Sequence, residues 1–321
     1  MSQLRHILRF LGLAFAVANA GAAELSLANA DSEAGRIFAR AFLPRDYLGG
    51  HAIHAITQGT DGVVYLGCPG AVVAFDGQLW SRLEVPGTVV SLAAGSEGEV
   101  FVAADSGFYL LRRQTLGRRV LVPLESPPGL TTVPAGARPS QAYWMRNEFR
   151  VALGGRLLAW AGGHWRSIPL PDASTAELYR LPESLIVRVP GRAMFEWADG
   201  EPRRLPDDPV LLASRGLHVV RDTAGLLARS DDGRAFRPEG ARWREEPSPL
   251  VAFFRTMPFR RALRLSNGCD AYILPGDGGV LVPLPNGQVW RIDYKRGMID
   301  SNVNCVFEDA ANQLWIGSNY E

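Results

Sequence analysis

The feature that most constrains this chain is a recurring unit of short apolar alternations broken by turns. Residues 51–67 read HAIHAITQGTDGVVYLG. Ile53 and Ile56 lie in one short strand, a turn follows at Asp61-Gly62, and residues 63–66 form a second strand. A third strand, 71–75, leads to a turn at Asp76-Gly77, and a fourth begins at Trp80. Glycine after aspartate supplies the positive φ angles that tight hairpins need. Four strands thus fit into about 35 residues, the size of one propeller blade.

The unit recurs along the whole chain. Residues 89–111, 142–168, 176–205, 211–238, 263–292 and 303–317 repeat the rhythm. Several units share an ending of strand, turn and aromatic or arginine strand: FDGQLWSRL, WAGGHWRSI, WADGEPRRL and PNGQVWRI. About seven units follow one another at roughly 31 to 54 residues. The pattern predicts an all-β fold, a β-propeller of about seven four-stranded blades with the last blade incomplete. A small sheet buries neither face alone, whereas blades stacked around an axis bury both and leave only short edges. Residues 63–66, 100–102 and 314–316 suit inner strands, and Arg203 and Arg204 suit an outer one. A sandwich or β-helix is the alternative. Helix is poorly supported; residues 31–41 are its best candidate. Residues 37–42 are a candidate outer strand to complete the last blade.

The first residues follow a different logic. Arg5 and Arg9 precede an apolar run, 10–18, and small residues cluster at Ala18, Ala20, Gly21, Ala22 and Ala23. This is the three-part pattern of a cleavable secretory signal, and the run is too short to span a bilayer. The expected organisation is a signal peptide over 1–23, a linker over 24–36 and the propeller over 37–321, exported to the periplasm. A net charge of +1 gives no field for nucleic acid or an anionic membrane. The only lysine is Lys295, which removes most Schiff-base and phosphate-loop lysine chemistry. Cys68, Cys269 and Cys305 form no disulfide framework; one bridge or three buried thiols are equal readings.

Catalytic and metal motifs are missing from the sequence. His51 and His54 are three apart, so a strand sends them to opposite faces. His164 reads as a turn residue and His218 as a structural histidine in an apolar strand. No C-x-x-C, H-E-x-x-H, G-x-S-x-G or phosphate loop occurs. Asp207-Asp208 and Asp231-Asp232-Gly233 read as turns, and Glu245-Glu246 as a solvated loop. The eight tryptophans recur with the units and read as core. The expectation is no catalytic residue, no metal and no cofactor. The densest basic cluster, Arg255, Arg260 and Arg261 with Arg264, sits among Phe253, Phe254, Met257 and Phe259. Its first three arginines are the candidates for capturing an anionic ligand, against a plain inter-blade connection.

The last unit is the most specific. Residues 297–317 read GMIDSNVNCVFEDAANQLWIG. This resembles the two-component-regulator propeller repeat, through Ser301-Asn302, Val303, Glu308-Asp309 and Leu314-Trp315-Ile316-Gly317. Asn312 stands where the family's turn glycine stands, and Ser318 replaces threonine. The first unit, with FLPRDYLGG, then YLG and FDGQLW, is similar too, whereas the units from about 137 to 283 match only in rhythm. The framework positions of the repeat are Asp61, Gly62, Asp76, Gly77, Trp80, Asn302, Asp309, Trp315 and Gly317. The resemblance implies the periplasmic input portion of a hybrid histidine kinase or diguanylate cyclase, seen as a fragment. It implies an unknown small molecule or periplasmic protein as partner, a second copy of the chain as a further one, and membrane attachment only through later parts. Ligand binding at the loops or channel would change how propellers pack and so bias the output. A secreted lyase or glycosidase, or a plain interaction scaffold, is the rival reading; an enzyme would need carboxylates, histidine or tyrosine converging on one face.

Overall fold

The computed structural model describes residues 39–114, 118–130, 138–170 and 175–319. The expected signal peptide and linker, 1–23 and 24–36, lie outside the described residues. Strands β1 (Ala55–Gln58), β2 (Val64–Phe75), β3 (Trp80–Ala94), β4 (Val100–Ala104), β5 (Gly107–Arg113) and β6 (Arg119–Pro123) form one six-stranded sheet. Four four-stranded sheets follow. The first holds β7 (Tyr143–Met145), β8 (Glu148–Leu153), β9 (Arg156–Ala161) and β10 (His164–Pro169). Next come β11 (Glu177–Arg180), β12 (Leu185–Val189), β13 (Ala193–Trp197) and β14 (Arg203–Arg204). Then come β15 (Leu217–Asp222), β16 (Gly225–Ser230), β17 (Ala235–Glu239) and β18 (Arg242–Glu246). The last of the four holds β19 (Arg261–Arg264), β20 (Asp270–Ile273), β21 (Val280–Pro283) and β22 (Val289–Ile292). A two-stranded sheet of β23 (Val303–Glu308) and β24 (Leu314–Ser318) ends the chain.

The all-β propeller stands, but the expected seven four-stranded blades are corrected. The described residues form five sheets of four or more strands and one of two. The reason lies in β3. Its first half, opposite residues 71–75 of β2, and its second half, opposite β4, belong to one unbroken strand. Two expected units therefore fuse into one sheet. The final sheet holds two strands, as the last unit's length requires.

The turns explain the hairpins. Asp61 Oδ1 accepts from the Val63 amide at 3.2 Å, and Asp76 Oδ1 accepts from Gln78 and Leu79 at 2.9 and 2.8 Å. Gly62 and Gly77 follow with φ of 78° and 98°, which a side chain would strain. The core is a series of layers between successive sheets. Phe101 and Phe108 pack with Phe149 and Trp160, then Ala152 and Leu157 with Leu185 and Trp197. Ile186 and Met194 pack in turn with Val219 and Phe236, and Ala271 and Val280 with Val303. The layers go full circle, since Ile53, Leu66 and Val73 pack with Cys305.

First strands neighbour one another around the axis, and β23 returns beside β1. Residues 63–66, 100–102 and 314–316, expected on inner strands, lie instead on second strands, β2, β4 and β24, or just before one. Arg203 and Arg204 occupy the outer β14, both exposed. The outer strand expected at 37–42 is also corrected: 39–42 form none, and 37–38 lie outside the described residues. Closure comes later in the chain, where Ala52 bridges Asn319 and the Ile53 amide donates to Ser318 O at 3.1 Å. Of the helical candidate, 39–41 are not helical. The helices are short: α1 (Pro44–Tyr47), α2 (Pro209–Ala213), which the Asp208 side chain caps, and α3 (Val251–Phe254). Glu245 and Glu246, read as loop, belong to β18 because Glu246 pairs with Arg237 and Arg244. His164 opens β10 rather than a turn. All three cysteines are free and buried. Among the described residues, no helix is long and apolar enough to cross a membrane.

Candidate functional site

Every sheet is the same meander, so the starts of the first strands gather at one end of the central channel. His54 immediately precedes β1, its amide donating to Gly67 O at 2.8 Å. Arg138 leads into β7, and Arg261 opens β19. His54 is half-buried and both arginines are exposed. Burial pushes the His54 imidazole below its ordinary pKa, and the charges of Arg138 and Arg261 push it the same way. The Arg261 charge also acts on the Tyr143 phenol and the Cys305 thiol, each of which burial pushes up to about 12.

Several arginines of the chain are paired with carboxylates. Arg119 meets Asp61, Arg203 and Arg221 share Glu196, and Arg237 joins Asp222 to Glu246. Among the described residues, neither Arg138 nor Arg261 makes an ion pair or side-chain hydrogen bond. The charges that act on His54 are these two cations and no carboxylate.

The three predicted ligand candidates separate. Arg261 opens β19 and is exposed. Arg255 caps the C-terminus of α3 and Arg260 follows Phe259, both exposed. Their neighbours Phe253, Phe254 and Phe259 are buried around Tyr272. Arg264 turns away to Asp270 at 2.9 Å. Sequence reasoning did not single out Arg138 and weighed His54 only as a metal ligand; His54 directly precedes β1, whereas Arg138 lies in the segment that leads to β7 at Tyr143.

A second polar cluster is closed. His218 is buried, with Nε2 3.0 Å from Asp270 Oδ1. Asp270 also receives Arg229 at 3.2 Å, Arg264 at 2.9 Å and the Tyr272 hydroxyl at 3.4 Å. Burial raises the Asp270 pKa, yet His218 and the two guanidiniums outweigh it and hold the carboxyl well below the usual range. A carboxylate so committed is a poor proton acceptor. Two open clefts complete the surface. One of about 420 Å³ lies at the far ends of β7 and β11, lined by Trp144, Met145, Arg146, Arg180, Pro182 and Glu183. The other, about 340 Å³, lies between α2 and the turn after β16 and includes Ser214, Asp231 and Arg234. Among the described residues no group of histidine, cysteine and carboxylate is placed to hold a metal ion.

The repeat positions serve the last sheet and its closure on the first. Asp309 Oδ1 accepts the Ala311 and Gln313 amides and its Oδ2 accepts the Trp315 indole N–H at 2.8 Å. The Asn302 carbonyl accepts the Asn319 amide at 3.0 Å. A Cβ on Gly317 would lie 2.7 Å from both Cys305 Sγ and Ile53 Cγ2, so only glycine lets the last strand approach the first.

Comparison with known proteins adds the following. Residues 297–320 match the family described as two component regulator propeller. No curated protein matches the chain. Among solved structures, virginiamycin B lyase from Staphylococcus aureus is similar at TM-score 0.62 and 14% identity, over 84% of this chain and 92% of that one. The extracellular domain of a putative hybrid two component system from B. thetaiotaomicron is similar at TM-score 0.61 and 13% identity. That match covers 85% of this chain but only 38% of the other. YCF48 from Cyanidioschyzon merolae is similar at TM-score 0.59 and 12% identity, over 84% and 93%. Likeness at such identities establishes architecture alone. The chain is an all-β propeller, and its residues 297–320 are a two component regulator propeller repeat.

Proposed function

We propose that this chain is the ligand- or partner-sensing propeller of an exported signal-transduction protein, of two-component or cyclic-di-GMP type. The observation that carries the reading is the repeat at 297–320, described as that of two component regulators. The fold likeness to an extracellular domain of a hybrid two component system supports it. In this reading the periplasm is the working compartment, the chain is not itself catalytic, and loops on one face or the channel receive the signal. Binding stabilises one packing of propellers between protomers over another, and that difference in binding energy is the source of the output.

The test is genetic. An in-frame deletion of codons 39–319 in the source organism is compared with the complemented strain for transcript profile and cyclic-di-GMP level. The expected result is a defined set of genes, or the dinucleotide level, changing and being restored on complementation. Unchanged values in both strains across carbon sources would overturn the sensing reading. A phosphatase fused after residue 319 reports export, with activity expected only outside the cytoplasm.

A further inference from the structure

We propose that the open cleft between the ends of β7 and β11 binds an amino acid in its zwitterionic form, with the carboxylate at Arg180, the ammonium at Glu183 and an apolar side chain against Trp144 and Pro182. As the statement of what is sensed, this rests on the sensing reading; the binding site itself does not.

Three observations converge. The first is the cavity. Its volume is about 420 Å³, within the range of small-molecule sites. Its walls come from two successive sheets, with Trp144 on β7 and Arg180 at the end of β11. Both walls are fixed. The Tyr143 hydroxyl donates to Leu178 O at 3.3 Å, which ties one first strand to the next. The turn after β11 is closed by the Leu181 amide on Ser184 O at 2.9 Å, and the buried Ser184 hydroxyl donates to Glu196 at 2.8 Å. Groups held in place before a ligand arrives lose little freedom on binding it.

The second observation is the balance of charge. Arg180 and Glu183 are three positions apart, flank one turn and line the same cleft, yet among the described residues they form no ion pair with each other. The other guanidinium of the lining, Arg146, is engaged by Asp199 of the adjacent sheet. One positive and one negative group are left facing the cleft. An anion attracted by Arg180 is opposed by Glu183, and a cation meets the reverse; a zwitterion satisfies both. A neutral sugar draws on neither charge.

The third is the wall beside β7. Trp144 packs on Phe149 with ring centroids 4.5 Å apart and stays only half-buried, which leaves part of a rigid indole for a ligand's apolar side chain. Arg146 and Asn147 turn the chain there with φ of 52° and 60°. Glycine usually supplies such angles in a tight hairpin, and an arginine adopts them only under strain. The strained residue is the one that reaches Asp199 and lines the cleft. A ligand held here touches both sheets, so its occupancy is coupled to how they pack.

The test is calorimetric titration of the purified full chain. The probes are L-phenylalanine, L-leucine, N-acetyl-L-phenylalanine, which lacks the ammonium, phenethylamine, which lacks the carboxylate, and glucose. At least one amino acid is expected to bind, each blocked analogue at least tenfold more weakly, and glucose not at all. Arg180→Gln and Glu183→Gln are each expected to weaken amino-acid binding at least tenfold. The first should also lose the preference over phenethylamine, and the second the preference over the N-acetyl compound, a pairing that a purely structural role would not produce. Both residues are exposed, so the melting temperature without ligand is expected to stay unchanged. Arg112→Gln, exposed on β5 of another sheet, leaves binding as it is. No heat and no ligand-induced rise in melting temperature with either amino acid at millimolar concentration would overturn the site. So would equal binding of the blocked analogues, or binding of glucose alone. Binding without a transcript or cyclic-di-GMP response in the source organism sinks the sensing reading and leaves the site standing. A response to the amino acid that survives in the Arg180→Gln, Glu183→Gln double variant sinks the cleft as the place where the signal is read.

Discussion

Between β24 and β1 the ring is closed by aromatic rings; between β8 and β20 its sheets are bolted by buried arginines. At the seam, Phe42 lies parallel to Trp315 at 6.1 Å and edge-on to Trp80 at 5.1 Å, while Phe75 stacks on Trp80 at 4.5 Å. In the middle, Arg150 on β8 donates to Ala198 O of the next sheet at 2.7 Å and lies over the Trp197 ring. Arg188 on β12 donates to Leu211 O at 3.1 Å and to Ser214 O, ahead of β15. Arg229 on β16 reaches Asp270 on β20. Three second strands in succession thus carry an arginine that grips the following sheet. A guanidinium has five donors, so it can satisfy carbonyls at a junction that aromatic packing would leave dry. The lesson is that one architecture uses two kinds of joint, and that they fail under different conditions.

The largest expected effect is at the middle joint. Asp270→Ala leaves Arg229, Arg264 and His218 without their shared acceptor, and breaking such a buried pair costs about 3–5 kcal/mol. Urea unfolding measures it, with Asp270→Asn expected to recover a minor part through its remaining acceptor oxygen. At the seam, Phe75→Ala removes a ring that is 7% exposed and stacked on Trp80, for about 3 kcal/mol. A seam variant that proves costlier than Asp270→Ala would reverse the comparison.

Acid separates the joints more finely. Asp222 is held below the usual carboxylate range by Arg237. Glu196 and Asp270 are held there against burial, Glu196 by Arg203 and Ser184, Asp270 by His218 and Arg264. A carboxyl depressed in the folded state stabilises fully above its unfolded pKa, near 4 for such groups, and that contribution fades as pH falls through the folded value. Acidification from pH 7 to pH 3 is therefore expected to loosen β12 to β20 before the seam. At the seam the depressed group is Asp76, lowered by the Leu79 and Gln78 amides of its own turn. Hydrogen exchange read by peptide at both pH values checks this, and uniform loosening would contradict it.

The two joints also differ in how far the sequence reveals them. Trp80, Asp309 and Trp315 belong to a motif with fixed spacing, so the repeat at the ends is visible in one dimension. Arg150, Arg188 and Arg229 appear only as single charges inside apolar runs, in FRVAL, LIVRV and LLARS. Their shared place on second strands is the signal, and it needs the register to be known. The fusion at β3 escaped for a similar reason: residues 85–88, VPGT, read as a break, yet the backbone stays extended through them. Arg261 was legible as a basic residue among aromatics, but that it opens a first strand emerges only with the circle of sheets.

The smallest expected effect tests where the seam's motif ends and the polar joint begins. Asn312 occupies the motif's glycine position with φ of 59°, and glycine there relieves about 1 kcal/mol of left-handed strain. Against this, Asn312 Oδ1 accepts from the Ser266 hydroxyl at 3.0 Å, and Ser266 also binds Glu308 through its amide and hydroxyl. These bonds tie the turn before β20 to the last sheet. Losing one exposed bond of the three costs about 0.5–1 kcal/mol. Asn312→Gly is thus expected to change the urea midpoint hardly at all, while Asn312→Val, which loses the bond and keeps the strain, lowers it. A clear gain for glycine would mean that the Ser266 tie contributes little and that the last sheet is held by the aromatic seam alone.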